Sequence, residues 1–176
     1  MAQLKMFLEE ALLEKCLPPA VPEGFTLRSL REGDEEKYAD LLFSAGFQKW
    51  DLTAVEKAKN KCLKDGIYLL VEDSTGKFAA CAYCNKGPVP GEESGGILGM
   101  VAVSPDFRGR HFARIVCMAV MNRFREESYK RICLFTDETR IPALKTYLKL
   151  GWKPIFLSEE NKALWQEVYK ITGYAF

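Results

Sequence analysis

The residues best suited to chemistry lie between Met100 and Ala113. An apolar run ends at Val103, a turn signal follows at Ser104–Phe107, and Arg108-Gly109 opens a long helical pattern. The first amides of a helix have no intrahelical partner, and the aligned peptide dipoles add positive potential there. Such a start can hold an anion. Arg108, Arg110 and Arg114 add charge, and Gly109 lacks the Cβ that would keep a ligand away from the main chain. Each charge–dipole contact contributes about 0.3–2 kcal/mol, so several converging on a diphosphate would anchor a nucleotide-like ligand. The G-K-[ST] of a Walker loop and the G-x-G-x-x-G of a dinucleotide site are both missing from this turn.

Other reactive side chains carry weaker signals. His111, the sole histidine, falls at the same helix start, where the dipole disfavours an imidazolium. It reads as a ligand-proximal residue. The six cysteines sit in apolar runs, as core-filling thiols of a reducing compartment do. Cys81 and Cys84 form a C-x-x-C, but within a strand pattern residues three apart point to opposite faces. No second pair has zinc spacing, so no metal site is expected.

The elements that must position these residues follow from periodicity. Leu4, Phe7, Leu8, Ala11 and Leu12 recur at helical spacing and predict a short amphipathic helix, followed by a linker at Pro18-Pro19 and Pro22–Gly24. A strand is expected over Phe25–Leu30. A helix capped by Asp34 then buries Tyr38, Leu41, Leu42 and Ala45. A second helix starts at Asp51 or Thr53 and stops at Asp65-Gly66. Strand patterns cover Ile67–Glu72, Phe78–Tyr83 and Ile97–Val103, with a Gly/Pro loop over Lys86–Gly96. The strongest helix is His111–Ser128. After it come a strand at Arg131–Thr136, a helix at Pro142–Leu150 with Gly151 just beyond, a strand at Trp152–Leu157 and a helix at Glu159–Lys170. This order predicts an α/β (α+β) sheet with helices on both faces.

Composition bounds the partners. Twenty-five basic and 24 acidic residues among 176 give a net charge of +1, so no overall field draws the chain to nucleic acid or an anionic membrane. Arg123 and Arg125 extend the basic residues of the helix start, but without interleaved aromatics they do not make a nucleic-acid surface. Glu9, Glu10 and Glu14 interrupt Met1–Leu17, so no leader peptide is expected. No apolar run approaches the roughly 20 residues of a membrane span. A cytoplasmic protein is expected, with residues 1–176 as one domain. Residues 1–20 form an additional helix and linker, and 158–176 a terminal helix and tail.

The strand, the turn and the Arg-Gly helix start resemble the coenzyme A signature of the GNAT superfamily of N-acyltransferases, Arg/Gln-x-x-Gly-x-Gly/Ala. Arg108 takes its first position and Ala113 its last, and His111 stands where glycine is usual. A second stretch, from Arg140 through Ala143 and Tyr147 to Gly151-Trp152, resembles the family's Asn-x-x-Ala-x-x-x-Tyr-x-x-x-Gly-Phe, with Arg140 in place of Asn and Trp152 in place of Phe. In element order the resemblance spans about Phe25 to Phe156, and its specific motifs cover Val101–Ala113 and Arg140–Trp152.

The resemblance implies a mixed, mostly antiparallel sheet and direct transfer of an acetyl group from acetyl-CoA to a primary amine. The main chain of Val101, Ala102 and Val103 would pair with pantetheine. Arg108, Gly109, Arg110, His111, Phe112, Ala113 and Arg114 would surround the diphosphate, and Arg140 would complete the cofactor side. Tyr147 becomes the candidate general acid: a phenol titrates at about 10 and a thiol at about 8.5, so its hydrogen bond stabilises charge developing on sulfur. Phe47 and Trp50 are the candidate acceptor contacts, beside Gln48 and Lys49. No general base stands out. The strand Gly95–Met100 holds no acid, and Glu92 and Glu93 fall in a solvated loop. The expected partners are the thioester and a small-molecule or peptide amine, with a homodimer compatible. A domain of the same fold that holds acyl-CoA as sensor or scaffold, without turnover, is the alternative.

Overall fold

The computed structural model describes residues 3–88 and 95–174. Among these residues seven strands form one sheet: β1 (Gln3–Leu8), β2 (Phe25–Ser29), β3 (Cys62–Glu72), β4 (Phe78–Asn85), β5 (Gly96–Val103), β6 (Ile132–Asp137) and β7 (Lys153–Ile155). Six helices accompany them: α1 (Glu10–Glu14), α2 (Glu35–Ser44), α3 (Leu52–Lys61), α4 (Phe112–Glu126), α5 (Ile141–Lys149) and α6 (Glu159–Thr172). The strand order is β2-β3-β4-β5-β6-β1-β7. Every neighbouring pair is antiparallel except β5–β6, which is parallel.

Helices cover both faces, so the central strands are apolar on both sides. On one face Leu4, Met6 and Leu8 of β1, Val116, Val120 and Phe124 of α4, Leu144 of α5 and Trp165 of α6 form the larger core. On the other, Tyr38, Leu41 and Leu42 of α2 and Val55 of α3 pack on Leu69, Val71 and Cys81. The C-x-x-C divides as strand geometry requires: Cys81 belongs to the smaller core and Cys84 to the larger.

Four expectations need correction. Residues 4–8 form a strand, not a helix. Leu4, Met6 and Leu8 are fully buried at period two, and β1 is paired on both edges, by β6 and β7. A helix of this length is marginal by itself, and the ladder bonds outweigh its propensity. Only Glu10–Glu14 makes a helical turn. The helix expected to run to Asp65-Gly66 ends at Lys61. Asp65, at φ 56°, sits inside β3, where the register against β4 shifts between Cys62 and Ile67. That turn signal marks a bulge. Asp34 lies at the start of α2 without capping it, because its carboxylate is taken by the Arg28 guanidinium and the Arg31 amide. The last strand is three residues long: Trp152 is buried before it, and Phe156 and Leu157 are exposed after it. Asp51 does cap α3, accepting from the Ala54 amide at 2.8 Å.

Candidate active site

The parallel strands β5 and β6 pair only at Gly96–Leu98 against Ile132–Leu134, and then part. Just past that point β5 bulges. Its register against β4 shifts between the pairs Tyr83↔Gly99 and Cys81↔Ala102, and Met100 adopts left-handed backbone at φ 48°. A bulge turns its strand and re-aims the following side chains. The Cys81 sulfhydryl donates to the Met100 carbonyl at 3.4 Å. Gly99 faces the Tyr83 ring so closely that a Cβ there would lie 2.3 Å from it.

The fork between the strands is a cavity of about 180 Å³. Leu98, Val101 and Tyr147 line it from the larger core, and Phe47 and Met100 from the smaller one. Gln3, Phe135, Thr136, Asp137 and Arg140 complete the wall. Its lining is therefore drawn from both faces of the sheet. Tyr147 projects from α5, is 6 % exposed and lies 6.5 Å, ring to ring, from Trp152. Burial pushes its hydroxyl well above the usual tyrosine value. The Cys117 thiol adds to the shift and the Arg140 guanidinium opposes it. The phenol thus keeps its proton throughout the neutral range.

Arg140 links the two sides. Its guanidinium lies 4.1 Å from the Phe47 ring centroid, and its Nε is 3.7 Å from Oδ2 of Asp137. Trp50 goes elsewhere. Its ring sits between Tyr38 at 6.4 Å and Tyr83 at 6.3 Å, packed on the smaller core, and it is not part of the cavity wall. The sequence motifs therefore bring Phe47, Val101, Arg140 and Tyr147 together and leave Trp50 one layer back.

The other end of β5 leads to the helix start. The Ser104 amide donates to the Ala79 carbonyl at 2.9 Å, a short 3₁₀ turn spans Pro105–Phe107, and Gly109 has φ 79°. His111 occupies the N-cap of α4 at φ 61°, left-handed backbone that favours glycine, and among the described residues no side chain caps the helix. The uncapped first turn is open to solvent or to an anion. Phe112 is buried beneath it, while Arg108, His111 and Arg114 are exposed. Arg110, also exposed, lies over Phe25 at 4.9 Å, Phe107 at 5.8 Å and Phe112 at 4.8 Å. This aromatic bed holds its guanidinium beside the turn.

Asp137, Gln3 and Cys81 were not among the sequence candidates. Asp137 could have been found as the acid just beyond the predicted strand, three residues before Arg140. Gln3 had no such signal, because the segment read as a helix. Glu92 and Glu93 lie outside the described residues.

Residues 27–152 match the model of the acetyltransferase (GNAT) family. The chain belongs to that family. The family's named relatives include a mycothiol acetyltransferase from Saccharomonospora viridis, 23% identical over 148 residues, covering 78% of this chain and 48% of the relative. A GCN5-related N-acetyltransferase from Sphaerobacter thermophilus superposes with a TM-score of 0.67 at 20% identity, covering 87% of this chain and 48% of that one. A tandem GNAT protein from the clavulanic acid biosynthesis pathway superposes at 0.64 with 19% identity, covering 87% of this chain and 50% of that one. The chain spans about half the length of the curated relatives it matches. Among the described residues no helix is long and apolar enough to cross a membrane, and no cluster of His, Cys, Asp and Glu could hold a metal.

Proposed function

We propose that this acyltransferase is an N-acetyltransferase that moves an acetyl group from acetyl-CoA to a primary amine by direct transfer. The observation that carries the reading is the forked cavity: Tyr147 lines it, and the strand on its wall, β5, leads to an uncapped helix start. The uncapped amides of α4, Gly109 and the exposed Arg108 and Arg114 suit a diphosphate. The parted segment Val101–Val103 has main-chain groups that β6 does not pair, and these suit the amides of a pantetheine arm.

Acetyl-CoA would supply the acyl group as a thioester. The acceptor nitrogen, having lost one proton to solvent, forms the new C–N bond as the C–S bond breaks. It then releases a second proton to solvent as the neutral amide forms, balancing the proton supplied to the sulfur. Tyr147 holds a proton ready for the departing sulfur, by hydrogen bond or by transfer. Arg140 and Phe47 form the wall between the cofactor arm and the acceptor. The buried thiols and the near-neutral charge fit a cytoplasmic protein.

The alternative, a domain that binds acyl-CoA without turnover, is favoured by one observation: His111 puts a side chain on left-handed backbone where the family signature has glycine. Calorimetric titration with acetyl-CoA followed by a thiol-release assay over an amine panel separates the two. Binding with release supports the transferase, and binding without release from any amine supports the sensor. No binding refutes both.

A further inference from the structure

Resting on the transferase reading, we propose that the acceptor binds as a zwitterion of the α-amino-acid class, its carboxylate taken by Arg140 and its ammonium by Asp137, the ammonium releasing a proton to solvent before its nitrogen attacks. Both side chains line the cavity. They are separated by 3.7 Å between Nε and Oδ2, longer than a hydrogen bond, and each is about one-third exposed. Among the described residues neither head group makes a side-chain hydrogen bond to another residue. A guanidinium has five donors and a carboxylate about four acceptor sites, so most of that capacity is unspent.

The fixed parts are the supports. The Arg140 amide donates to the Asp137 carbonyl at 3.0 Å, closing the turn that joins β6 to α5. The Arg140 guanidinium lies 4.1 Å from the Phe47 centroid. Stacking on a ring leaves the donors at the guanidinium edge free, the arrangement that suits bidentate capture of a carboxylate. As a plain surface ion pair the two residues would contribute little to stability. As a recognition pair in a small cavity, they meet a ligand whose opposite charges are one carbon apart, a spacing on the scale of their own separation.

Gln3 closes the same wall. It sits opposite Asp137 in the β1–β6 register, and its amide can donate or accept at the rim. The cavity of about 180 Å³ suits a small molecule or the end of a larger one. A zwitterion is the acceptor that leaves neither charge of the pair unanswered.

The test compares matched acceptors with the acetyl-CoA-loaded protein: a panel of free α-amino acids, the same compounds as carboxamides, and the corresponding amines lacking the carboxyl. Binding of acetyl-CoA is measured first by calorimetry, then kcat/KM by thiol release. The best free amino acid should exceed its carboxamide by about tenfold or more, as expected for loss of one charge-assisted contact of about 1.5–3 kcal/mol. Arg140→Gln should bring the acid-to-amide ratio to within about twofold, mainly by raising KM for the acid, and Arg140→Lys should restore part of it. If acetyl-CoA binds and turns over but amides or plain amines match the acids, or if no amino acid is acetylated, the zwitterion assignment is wrong and the transferase reading stands or falls on the other amines. If acetyl-CoA does not bind, the transferase reading fails and takes this inference with it.

Discussion

The sulfhydryl of Cys81 donates to the carbonyl of Met100 at 3.4 Å, across the single step at which β5 leaves the extended conformation for left-handed backbone. This bond holds the bulge that widens the fork. A weak donor on a fully buried side chain satisfies a carbonyl that the strand ladder has abandoned.

Replacing Cys81 by alanine should therefore cost more than the lost volume. We expect a destabilisation of about 1–3 kcal/mol from the unsatisfied carbonyl and a small void, with a fall in kcat/KM as the bulge relaxes. Cys81→Ser retains a donor and should recover more of the kcat/KM than of the stability. Urea midpoints and acetyl-CoA kinetics of the two variants check this; equal kinetic effects in both would refute it.

Arg108→Glu should weaken acetyl-CoA binding by at least about tenfold, because it replaces a charge-assisted contact of about 1.5–3 kcal/mol with repulsion. The side chain is exposed, so the melting temperature should hardly move. Calorimetry settles it, and unchanged affinity would displace the diphosphate from the start of α4.

His111→Gly should stabilise the protein. Left-handed backbone costs a non-glycine residue about 1–2 kcal/mol, and at this chain length about 1 kcal/mol raises Tm by about 2–4 °C. Acetyl-CoA affinity should be retained or improved as the main chain becomes more accessible. A lower Tm, or a large loss of affinity, would show that the imidazole makes a contact worth more than the strain.

Tyr147→Phe keeps the ring and removes the hydroxyl. If the phenol serves the leaving sulfur, kcat should fall by about 10²-fold or more while KM for acetyl-CoA stays within about threefold. The raised Tyr147 value also predicts a pH profile without a descending limb below about pH 10, rising instead as the acceptor amine loses its proton. A descending limb near neutrality that disappears in the phenylalanine variant would contradict this.

Alkaline pH should destabilise the fold. Burial pushes the Cys62 thiol up to about 12, and those of Cys81, Cys84 and Cys117 further still. Below about pH 8.5 both folded and unfolded chains keep these protons, and the stabilisation is complete. Above it the unfolded chain releases protons that the folded chain retains, so the unfolding free energy falls by up to about 1.4 kcal/mol per pH unit for each thiol. Denaturation at pH 7.5, 9 and 10 measures the slope, and a flat response would mean that these thiols ionise in the folded state.

The parts of the site that were legible in the sequence are those written locally. The turn from Val103 to Ala113 and the run from Arg140 to Trp152 each lie within one strand–helix unit, so spacing places their backbone. The rest depends on partners distant in the chain. Leu4 and Leu8 fit both a helical and an alternating pattern, and only pairing with β6 and β7 decides between them. Asp65-Gly66 signals a turn whether it ends a helix or bulges a strand. Cys81 meets Met100, and Gln3 faces Asp137, through ladder pairing that no short window records. Trp50 is close in sequence to Phe47, but its ring packs toward Tyr38 and Tyr83 rather than toward the cavity, a direction no local spacing records.

The bulge of β5 also acts as a ruler. From Met100 to Val103 the strand advances three residues, about 10 Å at ordinary strand rise, before the chain turns into the Arg108 corner. On the proposed reading, a donor tethered at that corner by its phosphates would have to span the fixed interval to place its acyl carbon beside Tyr147. A thioester on a stub too short to bridge it would have to forgo either its anchorage or its alignment.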